Sequence, residues 1–177
     1  MKKNLLRLMP MVLLGVWLGS GCVPPLYYKD MIAAAPFQGA DAVTVAVQDR
    51  REYITSGKTE DSYEGQVRAT VGIPYHRNTV TGGPLAAEMA RGLAATLTTK
   101  GYQVTVIGTG PADAADEISA KLTGSKPSRA LYLVINEWMY DGWGSYKLES
   151  KLTLKVMDGQ GKLLATAEHT LEENLGS

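Results

Sequence analysis

From Tyr146 to Val156 two kinds of side chain alternate in step. Tyr146, Leu148, Leu152, Leu154 and Val156 share one side, and Lys147, Glu149, Lys151, Thr153 and Lys155 the other. A period of two is that of an extended strand. A strand with one apolar and one charged face belongs to a sheet that is wet on one side, so helices are expected to cover only the other.

The neighbouring segments extend this strand into a meander. Leu131 to Tyr140 reads as the strand before it, joined through a turn at Asp141-Gly142-Trp143-Gly144, and a second turn at Asp158-Gly159-Gln160-Gly161 leads into Leu163 to Leu171. In that last strand Leu163, Ala165, Ala167 and Leu171 share a side, and His169 falls on it as a packed or edge residue rather than a base. Upstream, Val43, Val45 and Val47 alternate with Ala and Thr in a strand over Ala42 to Gln48. A helix follows from Pro84 to Thr99. Leu85, Met89, Leu93 and Leu97 recur at four-residue spacing along it, and Gly101 supplies the stop. Tyr102 to Ile107 is a strand, and Pro111 opens a shorter helix with Ala115, Ile118 and Leu122 inward.

The expected order is therefore β-α-β-α-β-β-β. The fold class is α/β (α+β): a two-layer sandwich with a mixed sheet and helices on one face. Right-handed crossovers would make the first three strands mutually parallel, with the hairpins adding antiparallel neighbours. At 177 residues, 45% of them apolar and 20% charged, the chain can bury one sizeable core. Residues 42–177 are read as a single domain. Between Asp49 and Gly83 no period holds. A loop that long in a compact domain is functional or disordered, and Tyr53, Tyr63, Ile73 and Tyr75 make it more apolar than a disordered linker.

The N-terminus has another plan. Lys2, Lys3 and Arg7 precede an apolar run from Leu8 to Leu18, and Gly19, Ser20 and Gly21 precede Cys22, the one cysteine of the chain. This is a secretory signal over residues 1–21, and the run is shorter than the ~20 residues of a bilayer-spanning helix. Small residues before the cysteine resemble a bacterial lipobox, although Gly19 stands where Leu is usual and Leu18 lies one place further out. Cys22 is read as the site of covalent lipid attachment, including palmitate. Three acyl chains at ~0.8 kcal/mol per buried methylene would hold a protein to a bilayer permanently. Val23 rather than Asp after the cysteine favours the outer membrane, periplasmic face, by resemblance to lipoprotein sorting. Residues 22–41, with Pro24, Pro25, Pro36 and Gly39, read as the lipidated cysteine and a flexible tether of at most ~60 Å.

The lipidated cysteine, the strand ending Val43-Thr44-Val45-Ala46-Val47-Gln48-Asp49-Arg50, the helix ending Lys100-Gly101-Tyr102 and the aromatic-bearing meander together resemble the YajG-like family of small bacterial outer-membrane lipoproteins. The resemblance implies an envelope location and an α/β fold, and assigns no reaction. Such proteins usually continue past the last strand into a helix. This chain stops at Ser177, so either it is truncated or a partner covers that part of the sheet.

Charge and motif readings narrow the function. Net charge is +0 with no basic block, so nucleic acid is not expected as a partner, and one cysteine with His76 and His169 is too few soft ligands for a zinc cluster. Gly108-Thr109-Gly110-Pro111-Ala112-Asp113 follows a strand, but Asp at its last position opposes a pyrophosphate, and the segment reads as a turn and helix start. Asp49-Arg50-Arg51-Glu52 reads as a local set of exposed ion pairs, with anion binding as the other reading. No catalytic residue, metal or cofactor is assigned beyond the lipid on Cys22. The candidate interaction surface comprises Tyr53, Tyr63, Tyr75, Trp138, Tyr140 and Trp143, with Tyr146 beside them, since amphipathic aromatics suit contact with a protein or a sugar face. Trp143, at the turn, is the one expected to be exposed. The expected function is a non-catalytic interaction or structural module of the cell envelope, docking on an envelope partner. The alternative is an auxiliary subunit of lipid or lipopolysaccharide transport, and a glycan-acting enzyme, which needs two carboxylates across a cleft, ranks last.

Overall fold

The structure is a computed structural model and describes residues 27–34 and 36–174. Cys22 and the signal segment 1–21 lie outside the described residues. No helix among the described residues is long and apolar enough to cross a membrane.

Strand β1 (Ala42–Asp49) lies at the centre, and every residue in it after Ala42 is buried. Val43, Val45 and Val47 pack with Leu85, Ala86, Met89, Ala90 and Leu97, which belong to a helix spanning Leu85–Thr99. Ala46 packs instead with Ile118 and Leu122, which belong to a helix spanning Ala115–Thr123, and the Thr44 hydroxyl donates to the Leu122 carbonyl at 2.6 Å. Alternate residues of a strand point to opposite faces. The two helices therefore cover opposite faces of the sheet. The α/β class and mixed sheet are as expected, and the placement of both helices on one face is corrected. The physical reason lies in β1 itself: no residue between Val43 and Gln48 carries a charge, which is the pattern of a strand buried on both sides.

One sheet holds the seven described strands. Gln103–Ile107 (β4) and Arg129–Trp143 (β5) flank β1, both parallel to it, as the crossover rule requires. Ser145–Met157 (β6) is antiparallel to β5, and Leu163–Asn174 (β7) to β6. The long segment after β1 is structured: a short helix α1 (Glu52–Thr55) and an antiparallel hairpin of β2 (Tyr63–Arg68) and β3 (Pro74–Asn78). The helices at Leu85–Thr99 and Ala115–Thr123 are α2 and α3.

Several local expectations shift. Pro111 lies in a turn before α3 rather than in it, and Ala115 is exposed while Ile118 and Leu122 are fully buried. The Gln48 amide holds that turn by donating to the Gly110 and Asp113 carbonyls at 3.1 and 2.8 Å. Asp141, Gly142 and Trp143 belong to β5, leaving Gly144 alone between β5 and β6. Of the residues expected to share one side of β7, Leu163, Ala165 and Ala167 are exposed and Leu171 is half-buried, and His169, read as packed or at an edge, is exposed. The stretch read as a tether is described from Tyr27 onward, and this part lies along α2. Its 3-10 turn Tyr28–Asp30 approaches so closely that a Cβ at Gly92 would meet the Tyr28 carbonyl oxygen at 2.6 Å. The Ala33 N–H donates to the Thr96 hydroxyl at 3.2 Å, and the Gly39 N–H to the Lys100 carbonyl at 3.1 Å.

The 15-residue strand β5 serves two neighbours on one edge. Arg129–Ile135 pairs with β1, and Tyr140–Gly142 pairs with β2. Residues 136–139 have no strand partner on that edge among the described residues, and a bulge falls between Ile135 and Glu137. Arg51, 0% exposed, fills this fork. Its Nε and Nη2 donate to the Asp49 carboxylate at 2.9 and 2.6 Å, and its Nη1 donates to the Tyr63 and Trp138 carbonyls at 2.7 and 3.0 Å. The Asp49-Arg51 pair is thus buried, and the reading of exposed ion pairs is corrected. Burial alone would lower the Arg51 pKa, but its hydrogen bonds and charge attraction to Asp49 outweigh that and raise it.

Removing one partner of a buried pair leaves a bare charge and here two unpaired carbonyls. Arg51→Ala should cost roughly 3–5 kcal/mol, read by urea unfolding, and adding Asp49→Ala should restore part of that loss.

Candidate functional site

The β2-β3 and β5-β6 hairpins end side by side, because β2 joins β5 next to its end: Val67 pairs with both Tyr75 and Gly142, and Gly142 pairs with Tyr146. These four residues form a row across four strands. Gly142 is the seat of the row. A Cβ there would meet the Tyr146 ring at 2.7 Å and Val67 at 3.3 Å, so the missing side chain lets Tyr146 lie across the strand. Tyr75 and Tyr146 are 56% and 52% exposed, and Ile73, in the hairpin beside them, 54%. An exposed apolar cluster of this kind marks a contact surface more often than scattered single residues do.

Strand alternation puts a different chemistry on the other side. Trp143 pairs with Ser145, Asp141 with Lys147, and Lys147 with Asn174. Asp141 accepts from Arg68 Nε and Nη2 at 3.0 and 2.5 Å and from Gln66 Nε2 at 2.8 Å. The hydrogen bond from Arg68 holds the Asp141 carboxyl below the usual carboxylate range. Lys147 Nζ lies 2.6 Å from both Glu149 and Glu172, and hydrogen bonds to those two carboxylates raise its pKa.

Of the six residues singled out from sequence, Tyr75 and Trp143 are exposed, and both lie at the tip but on opposite sides of the sheet. Trp143 is 63% exposed, as its place near the turn predicts. Tyr53 and Tyr63 turn inward. The Tyr53 hydroxyl lies 2.7 Å from Glu137 Oε1, burial raises its pKa, and its ring stands edge-on to the buried Tyr63. Trp138 packs against the α2 side of the core, and Tyr140 is half-buried with its pKa raised by burial. Sequence reasoning missed Val67, Gly142, Arg68, Asp141, Lys147 and Asn174. The signal that finds the pairs of β5 and β6 is their symmetry about Gly144, which becomes visible once Gly144 alone is taken as the turn.

No protein-family model matches the chain, and no curated protein matches it in sequence. Among solved structures, a Xanthomonas campestris protein described by the family model DUF330 is similar with TM-score 0.47 and 15% identity, over 81% of this chain and 72% of its own. PelC of Paraburkholderia phytofirmans, solved as a dodecamer, gives 0.45 and 16% over 81% and 79%. A lipoprotein of Neisseria meningitidis gives 0.44 and 14% over 75% and 83%. At such scores the likeness is partial and carries no activity across, and the YajG-like resemblance is neither extended nor replaced by it.

Asp141 is the group to follow by pH. Its pKa is depressed in the folded state, so its pairing with Arg68 stabilises above the ordinary carboxylate pKa and is lost as pH falls through the folded value. In Arg68→Ala the Asp141 carboxyl should titrate higher, toward ~3.9, as read by side-chain carboxyl NMR. Gly142→Val should displace Tyr146 and raise its exposure, measurable as faster modification of its ring.

Proposed function

We propose that this chain is a lipid-anchored module of the bacterial envelope that docks, without catalysis, onto an envelope protein through the row of Tyr75, Val67 and Tyr146. The observation that carries the docking reading is the convergence of exposed Tyr75, Ile73 and Tyr146 from two hairpins on one side of the tip. The row is borne on paired strands, so presenting it requires little ordering, and large aromatics with few rotors are the residues that dominate contact energies.

The anchoring part rests on sequence: the signal plan of residues 1–21 and the small residues before Cys22. Attachment to the outer membrane, facing the periplasm, follows from Val23 and the YajG-like resemblance. A diacyl or triacyl anchor converts a three-dimensional search for a membrane-bound partner into a local one, which raises effective concentration without adding a contact.

Two measurements separate the parts. Cys22→Ser should move the protein from the membrane pellet to the soluble fraction after carbonate washing. Retention in the pellet would refute the anchor. Tyr75→Ala with Tyr146→Ala should weaken in-cell crosslinks to the partner by at least about tenfold, the scale of truncating one energetically dominant aromatic. An unchanged crosslinking pattern would refute docking through this row.

A further inference from the structure

The side of the tip opposite the tyrosine row carries a shallow, open cavity of about 370 Å³ lined by Arg68, Asp141, Trp143, Ser145, Lys147 and Asn174. One liner is a broad apolar plate, the exposed indole of Trp143. The other five end in hydrogen-bonding groups: a guanidinium, a carboxylate, a hydroxyl, an ammonium and a carboxamide. All six sit on paired strands or, for Trp143 and Ser145, flank the turn. Two charged groups are already held in place, Asp141 by Arg68 and Gln66, and Lys147 by Glu149 and Glu172. Preorganised groups on rigid strands lose little freedom on binding.

The composition decides among ligand classes. An apolar peptide or acyl chain would desolvate five polar groups without replacing their hydrogen bonds. A phosphate-bearing ligand needs surplus positive charge, but Arg68 and Lys147 are offset by Asp141, Glu149 and Glu172. A sugar ring satisfies both halves of the site. Its C–H face lies on an aromatic plane, and its rim of hydroxyls donates to carboxylate and amide oxygens and accepts from amide, ammonium and guanidinium N–H groups. The volume lies near the lower end of ligand pockets, ~300–1,000 Å³, the scale of a short saccharide segment rather than a large ligand.

We propose that this cavity binds an uncharged saccharide segment, with Trp143 as the stacking platform and Asp141, Ser145 and Asn174 as the partners of its hydroxyls. The site lies on the opposite side of the sheet from the tyrosine row and does not depend on the docking reading.

The test uses the mature full-length protein in detergent, titrated separately with the trimer of N-acetylglucosamine and with a glucose trimer. The readouts are the Trp143 indole and Asn174 amide signals in ¹H–¹⁵N NMR spectra, the indole assigned with Trp143→Phe. At least one sugar should shift both signals saturably. Trp143→Ala should weaken the Asn174 response by at least about tenfold, Asn174→Ala should weaken the Trp143 response, and Tyr75→Ala with Tyr146→Ala should leave binding unchanged. No saturable shift with either sugar overturns the proposal, as does an Asn174 response that survives Trp143→Ala, or tighter binding of inorganic phosphate at the same signals. Failure here with crosslinks still dependent on Tyr75 and Tyr146 removes only the saccharide site. Saccharide binding with crosslinks indifferent to those tyrosines removes only the docking row.

Discussion

The Arg51 guanidinium, fully buried against Asp49, is the contact on which the architecture turns. A sheet strand that offers one edge to two different neighbours must leave a gap where one departs and the other arrives, and backbone groups in that gap need partners. Here the gap is at residues 136–139 of β5, and the donors of one side chain reach the last residue of β1, the first of β2 and the middle of β5. The backbone continues the same work, with the Arg50 N–H donating to the Ile135 carbonyl at 2.8 Å. A planar, permanently charged fork of five donors suits this position, and lysine would not replace it. Because β2 pairs with β5 immediately beyond this gap, and Arg51 holds the first residue of β2 against it, the approach of the β2-β3 hairpin to the tip is fixed in part by a charge pair in the interior.

Beyond the junction, the sheet separates chemistries by parity alone. Successive residues of β5 and β6 alternate between a tyrosine-bearing side and a side carrying Trp143 with its polar surround, so two surfaces of different character share the same few residues of chain. Neither needs a loop to shape it. The turn between the strands is a single glycine, which keeps both rows in register to the end of the hairpin.

Much of this fold was legible in the sequence, and the failures share a cause. Strands β1, β4, β5, β6 and β7 and helix α2 each carry a long, clean period, and each lies within a few residues of its expected bounds. The hairpin β2-β3 escaped because its outer strand is exposed along its whole length and the alternation of its inner one, Tyr63 and Val67 against Glu64, Gln66 and Arg68, is short and broken at Gly65, where the ladder bulges. Asp49 and Arg51 look like a surface pair because adjacent charges usually are. The carbonyls that justify burying them belong to Tyr63 and Trp138, up to 87 residues away in the chain. At the site, exposure of Trp143 followed from its position, whereas the seat at Gly142 requires knowing which strand lies beside it. The helix on the second face was foreshadowed only by what β1 lacks, a charged side.

One consequence follows from the segment that lies along α2. With Tyr28 wedged over Gly92 and the Ala33 N–H bonded to the Thr96 hydroxyl, residues 27–34 are fastened to α2 and do not contribute to the reach of at most ~60 Å expected of a loose leader over residues 22–41. On the anchoring proposed above, that fastening draws the domain nearer to the acyl chains than a loose leader would.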